Sequence, residues 1–153
     1  MDDLGQCYRA WGRMADAWQA YDRALDLDPK VTLALIGRAE AAMELGQLES
    51  AAVDYSAALE LDPNQPLVLA GRAVVHFEAN RPLDAVLDLD RAIELSPETA
   101  ELYQNRAVAL QLLGRTVDAA RDQRTYLQLQ PLAEDRLEVA QQLADLARGR
   151  VAA

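Results

Sequence analysis

Apolar residues recur along the chain at intervals of three and four, as at Leu45, Leu48, Ala52, Tyr55 and Leu59, with polar residues between them. That spacing lays the apolar side chains along one face and predicts amphipathic helices rather than strands. The pattern is itself periodic. Pro29, Pro63, Pro97 and Pro131 stand 34 residues apart and close the segments ALDLDP, ALELDP, AIELSP and YLQLQP. Aligned on these prolines, Gly12, Gly46, Asn80 and Gly114 share one column, and Ala17, Ala51, Ala85 and Ala119 a second. Gly5, Ala39, Ala73 and Ala107 form a third. Ala24, Ala58 and Ala92 form a fourth, which Tyr126 breaks, and Leu25, Leu59, Ile93 and Leu127 a fifth.

Each column has a physical reason. The Gly/Asn column falls mid-repeat, where a helix ends in a left-handed residue that glycine tolerates best and asparagine next best. The prolines stop the second helix of each unit and begin the turn into the next. Small residues such as Ala39 and Ala51 let two helices approach closely. The unit is therefore a helix–turn–helix, and a fixed period of this length is the mark of a solenoid. One all-α domain over residues 1–153 is expected, with repeats at about 1–31, 32–65, 66–99 and 100–131. Beyond Pro131 the segment LAEDRLEVAQQLADLARGR predicts a capping helix over about 132–149, with Leu137, Ala140, Leu143, Ala144 and Ala147 as its apolar stripe. Acids early in it, and Arg148 and Arg150 late, suit the helix dipole.

Composition narrows the function. Hydrophobic residues make up 51% and charged residues 26%, a globular balance, and 25 acids against 15 bases give a net charge of −10. Such a surface repels nucleic acid and anionic membranes, both of which need a basic footprint. No apolar run approaches the ~18 residues of a membrane span, and the start MDDLGQCYRA lacks the features of a signal peptide. A cytoplasmic location is expected. One cysteine and one histidine make neither a disulfide framework nor an ordinary zinc site. His76 shares its column with Tyr8, Ala42 and Leu110 and reads as a packing position. Cys7 shares its column with Ala41, Val75 and Ala109 and reads as a buried small hydrophobe. No phosphate-cradling glycine loop, metalloprotease pattern or nucleophile elbow is present. The expectation is a protein that is not an enzyme, with no catalytic residue, metal or cofactor.

Two further columns concern charge. Arg38, Arg72 and Arg106 occupy one, and Asp54, Asp88 and Asp122 occupy another sixteen residues on; in the first repeat both are lost together, to Leu4 and Ala20. This matched loss predicts a structural Arg–Asp salt bridge, either between the two helices of a repeat or across adjacent repeats.

With these columns in place, the chain resembles the tetratricopeptide repeat (TPR) family. The resemblance rests on the 34-residue period, the Leu4-Gly5-x-x-Tyr8 start, the columns of small residues and glycine, the Tyr21 and Tyr55 column, and the closing Leu-x-Pro. It covers residues 1–131. Leu89 and Gln123 depart from it by replacing the aromatic, Tyr126 replaces a small residue, and Pro82 opens a second helix. The resemblance implies a right-handed superhelix, an α-solenoid of about four units, whose first helices line a concave binding face. The groove positions it assigns are Asp2, Gln6 and Arg9 in repeat one, and Leu33, Ile36, Glu40, Met43 and Glu44 in repeat two. Repeat three offers Leu67, Ala70, Val74, Phe77 and Glu78, and repeat four Glu101, Gln104, Val108 and Gln111.

This floor is apolar and its edges are acidic, so the implied partner is a protein or peptide segment with apolar anchors and basic residues at the rim. Relatives that clamp a C-terminal carboxylate do so with lysine, arginine and asparagine. The matching columns here hold Asp2, Gln6, Gly37, Leu67 and Gly71, or one repeat later Ile36, Glu40, Gly71, Glu101 and Asn105, with no base in either set. Gly37 and Gly71 lie on the same face within helices. They either let a partner approach the backbone closely or are simply tolerated, and on both readings replacing them with alanine is expected to stabilise the fold. Two other functional readings stay open: a homo-oligomeric scaffold associating through the groove or through the N-terminal repeat at Leu4 and Tyr8, and the regulatory arm of a longer enzyme.

Overall fold

The computed structural model describes residues 2–10, 12–130 and 136–148. The expectations for Pro131 and Arg150, and for the side chains of Asp2, Leu4 and Ala147, lie outside the described residues. Among the described residues there are nine helices and no strands: α1 (Asp2–Ala10), α2 (Met14–Leu27), α3 (Thr32–Glu44), α4 (Leu48–Leu61), α5 (Pro66–Glu78), α6 (Pro82–Leu95), α7 (Ala100–Leu112), α8 (Thr116–Leu129) and α9 (Arg136–Ala147). Pro66 and Pro82 open their helices, where a missing N–H costs nothing.

The mid-repeat turns form as the sequence requires. Gly12, Gly46 and Gly114 have φ of 70°, 71° and 72°, and Asn80 has φ of 56°. In each turn the next residue donates its N–H to a carbonyl five positions back: Arg13 to Tyr8, Gln47 to Ala42 and Arg81 to His76 at 2.8 Å, and Arg115 to Leu110 at 2.9 Å. This closure satisfies carbonyls that the ending helix leaves unpaired.

Successive helices pack around a main core that runs from Ala17 to Ala119, and a second, small cluster of Ala100, Tyr126 and Val139 seats α9. The small columns sit in the main core, with Ala17, Ala39, Ala51, Ala73, Ala85, Ala107 and Ala119 all at 0–1% exposure. Side chains this small permit interaxial distances at the short end of the usual 8–10 Å. The first helices of successive repeats also approach one another (α1 with α3, α3 with α5, α5 with α7), whereas among the described residues no two second helices come as close. The stack therefore curves toward α1, α3, α5 and α7, which line its inner face.

The predicted Arg–Asp pairs are present and larger than expected. Arg38 donates from Nε and Nη2 to both oxygens of Asp54 at 2.7 Å. Arg72 grips Asp88 in the same way at 2.8 and 2.7 Å, and Arg106 grips Asp122 at 2.7 and 2.8 Å. The remaining Nη1 of each arginine reaches the second helix of the preceding repeat, meeting Asp22 at 2.5 Å, Ser56 at 3.1 Å and Asp90 at 2.6 Å. Each guanidinium thus joins both helices of its repeat to the repeat before. Asp54, Asp88 and Asp122 are buried, and these bonds hold each guanidinium above its ordinary pKa against the opposing effect of burial.

Two expectations are corrected. Cys7 is exposed, although Ala41, Val75 and Ala109 in its column are buried. Among the described residues α1 packs against α2 and α3 only, whereas α3 and α5 each pack against four helices. The stripe of α9 is also misplaced. Leu137 is 85% exposed and Ala140 is exposed, while Val139 is buried against Ala100 and Tyr126; Leu143 and Ala144 are half-buried. Tyr126, the bulky residue in a small column, builds the seat for Val139. Gln123 Nε2 donates to Gln142 Oε1 at 3.0 Å and fixes the rotation of α9.

His76 packs between helices with its Nε2 3.6 Å from Asp88 Oδ2, and its Nδ1 is buried without a hydrogen-bond partner. Burial pushes the imidazole below its ordinary pKa; Asp88 and Asp84 oppose this, while Arg81 and Arg72 add to it. Because the folded pKa is the lower one, the unfolded chain binds the proton first as pH falls. Stability is then complete above the unfolded pKa and is lost as pH drops through and below it. His76→Leu, which installs the residue found at buried Leu110, is expected to remove this loss. Thermal midpoints of the two proteins should diverge in favour of the variant from about pH 7 to pH 5.

Candidate partner-binding groove

The residues assigned to the groove differ in exposure. On α3, Leu33 is exposed, Ile36, Glu40 and Met43 are half-buried, Glu44 is exposed and Gly37 is buried. On α5, Leu67 is exposed, Ala70, Gly71, Val74 and Phe77 are half-buried, and Glu78 is exposed. On α7, Glu101 and Val108 are exposed, with Gln104 and Gln111 half-buried. Gln6 and Arg9 lie on α1, exposed and half-buried respectively.

Two hollows open between these helices. The larger, about 450 Å³, lies between α3 and α5 and is lined by Ile36, Glu40, Tyr55, Leu67, Val68 and Gly71, with Asn64, Gln65 and Pro66 at its far edge. The smaller, about 240 Å³, lies between α5 and α7 and is lined by Ala73, Val74, Phe77, Glu78, Ala85, Leu89, Asn105, Val108 and Ala109. Their floors come from the second helices, Tyr55 in one and Leu89 in the other. Sequence reasoning assigned the groove to first helices alone and missed both, although the two share the aromatic column.

The Tyr55 hydroxyl contacts Met43 Sδ at 3.6 Å. Its pKa is pushed up to about 12, first by burial and then by the Glu40 carboxylate, with Arg9 opposing. It stays a neutral hydroxyl throughout the physiological range. Glu40 itself is ion-paired with Arg9 of α1, so the one base among the expected groove positions is already engaged.

Gly37 and Gly71 are explained by the chain's own aromatic rings rather than by a partner. A Cβ on Gly37 would collide with the Tyr21 ring, at 2.6 and 2.7 Å from Cε1 and Cε2 and against Cζ as well. A Cβ on Gly71 would stand 2.8 Å from Cζ and Oη of Tyr55. The expectation that alanine stabilises both positions is therefore reversed at Gly37. Where the floor residue is Leu89, the equivalent position is free to be Asn105.

No group of His, Cys, Asp and Glu side chains among the described residues could hold a metal ion. No helix of the described residues is long and apolar enough to cross a membrane.

Comparison with known proteins places this architecture. Family models described as tetratricopeptide repeat or TPR repeat match residues 2–31, 39–80 and 70–134. A comparison with curated protein sequences finds no match. Among solved structures, a crystal structure of MamA superposes with a TM-score of 0.88 at 20% identity, covering 96% of this chain and 84% of the other. PilF of Pseudomonas aeruginosa gives 0.82 at 23% identity, covering 97% and 66%. The first TPR domain of Spaghetti (RPAP3), bound to the HSP90 peptide SRMEEVD, gives 0.71 at 22% identity, covering 77% and 91%. These structures share the solenoid fold, and the repeat columns, the helix pairs and the family models together show that this chain belongs to the tetratricopeptide repeat family.

Proposed function

We propose that this interaction module takes an apolar, basic segment of a partner protein into its concave groove and performs no catalysis. The observation that carries the reading is the pairing of two apolar hollows with an acidic rim, in which Glu44, Glu78 and Glu101 are exposed on successive first helices. Apolar anchors in the hollows supply affinity, and the carboxylates steer a basic segment and repel an acidic one. RPAP3 was solved with the acidic-tailed peptide SRMEEVD; the acid-rimmed groove here opposes such a guest.

The test is fluorescence anisotropy with a labelled amphipathic peptide of about 14 residues, built of leucine and alanine with one arginine, and with SRMEEVD as control. Val108→Glu puts a charge into the smaller hollow and should weaken the leucine–arginine peptide at least about tenfold, or about 1.4 kcal/mol. Unchanged binding in that variant, or equal binding of SRMEEVD, contradicts the reading.

Association of copies is a second reading, favoured by the exposure of Cys7 at one end of the stack and of Leu137 and Ala140 on α9 at the other. Sedimentation velocity across a wide concentration range decides it. Assembly through these ends predicts a mass that rises with concentration and falls back to the monomer in Leu137→Glu.

A further inference from the structure

We propose that the hollow between α3 and α5 is a subsite for one arginine side chain of the bound partner, received by the Glu40 carboxylate, which Arg9 of the chain's own first helix occupies until the partner arrives. This inference rests on the groove reading and names the side chain that one part of the groove selects.

The lining of the hollow argues for a long side chain with a charged tip. Ile36, Leu67, Gly71 and the Tyr55 ring provide apolar walls, and Glu40 is the one charged residue among the described residues lining it. An aliphatic stem can lie along those walls while its head reaches the carboxylate. A lone carboxylate at the edge of an apolar hollow calls for a cation, and the structure supplies one from within the chain. The Arg9 and Glu40 side chains are 37% and 36% exposed. Ion pairs this open to water contribute little, typically about 0–1 kcal/mol, so a second cation can exchange with Arg9 at small cost. Paired with Glu40, Arg9 is a stand-in for the guest.

Arginine suits the hollow better than lysine. Its planar fork donates two parallel N–H groups to one carboxylate, and its weakly hydrated face lies against apolar walls more readily than an ammonium does. Tyr55 stays neutral there, so it adds no competing charge. The neighbouring hollow differs: its floor is Leu89 and its carboxylate, Glu78, is exposed. It suits an apolar anchor, so the two hollows together read a segment with one arginine and one large apolar residue.

The experiment uses the same leucine–alanine–arginine peptide and a twin in which citrulline, the neutral isostere, replaces the arginine. Affinities are measured for the wild type, Glu40→Gln, Arg9→Ala and Val108→Glu, with circular dichroism confirming that each variant is folded. The wild type should prefer arginine over citrulline about tenfold, and Glu40→Gln should abolish that preference. Arg9→Ala should tighten the arginine peptide several-fold and leave the citrulline peptide unchanged, an effect that a purely structural Arg9 would not give. If Val108→Glu weakens the peptide but Glu40→Gln keeps the arginine preference, the subsite is wrong and the groove stands. If Arg9→Ala weakens the arginine peptide, Arg9 is not a stand-in. If neither peptide binds the wild type, the subsite and the groove reading fall together.

Discussion

Asp88→Ala is expected to destabilise the protein by about 3–5 kcal/mol, the cost of leaving a buried charge without its partner, and by more than Asp54→Ala or Asp122→Ala. The three arginines share a design with one difference. Arg38 and Arg106 each hold a second carboxylate, Asp22 and Asp90, whereas in the matching place Arg72 meets the Ser56 hydroxyl at 3.1 Å. Removing Asp54 or Asp122 leaves a guanidinium still paired. Removing Asp88 leaves the Arg72 guanidinium, 24% exposed, with one neutral acceptor. Urea unfolding of the three variants gives the ordering directly. The double change Arg72→Met with Asp88→Leu should recover most of the loss, since exchanging a buried pair for packed apolar residues is often close to neutral. Equal losses at all three aspartates would mean that the reach to the preceding repeat carries no weight.

Columns repeated in every unit were legible in the sequence. The period, the left-handed turns, the small crossing residues and the Arg–Asp pairs each reflect a constraint imposed afresh in every repeat, so comparison within the chain exposes it. The loss of Arg and Asp together in the first repeat was especially informative, because it shows two positions answering to one contact. The second acceptor was not legible, since its column reads Asp22, Ser56, Asp90 and Arg124 and looks unconstrained.

Features depending on place in the stack were hidden for a different reason. Column averaging assumes the same neighbours in every repeat, and among the described residues those of α1 are α2 and α3 alone. On α9 an apolar count favoured the Leu137 face, but the helix is seated on α8 and the start of α7 and is oriented by Val139, Tyr126 and the Gln123–Gln142 bond. The groove was half legible. First-helix positions follow from the repeat, but the hollows between neighbouring first helices reach down to the buried Tyr55 and Leu89 of the second helices. The Arg9–Glu40 pair joins two columns that pair in no other repeat.

Gly37→Ala tests whether a floor ring or helix propensity governs this face, and the ring is expected to win. Propensity alone favours alanine inside a helix by about 1 kcal/mol. Against it stands the Tyr21 ring, which cannot retreat, because its other side faces Gly5, where an added Cβ would lie 2.6 and 2.9 Å from Cε1 and Cε2. Tyr21 is 3% exposed and held between two glycines, so the new methyl must shift a helix or the ring. Overpacking of this kind costs about 1–3 kcal/mol, which exceeds the propensity gain over most of that range. A net loss of up to about 2 kcal/mol follows, seen as a thermal midpoint lower by about 2–4 °C per kcal/mol. Tyr21→Phe should give no relief, since the collision is with ring carbons. Tyr21→Leu in the same chain should restore much of the loss, as Leu89 beside Asn105 already shows that a leucine floor accepts a side chain at this position. Gly71→Ala should be milder, because the added Cβ would stand farther from the ring, at 2.8 and 3.1 Å from Cζ and Cε1 of Tyr55, and its nearest contacts include the hydroxyl tip. A higher midpoint for Gly37→Ala would instead mean that the ring has room to move, and that the glycine leaves space for something outside the chain.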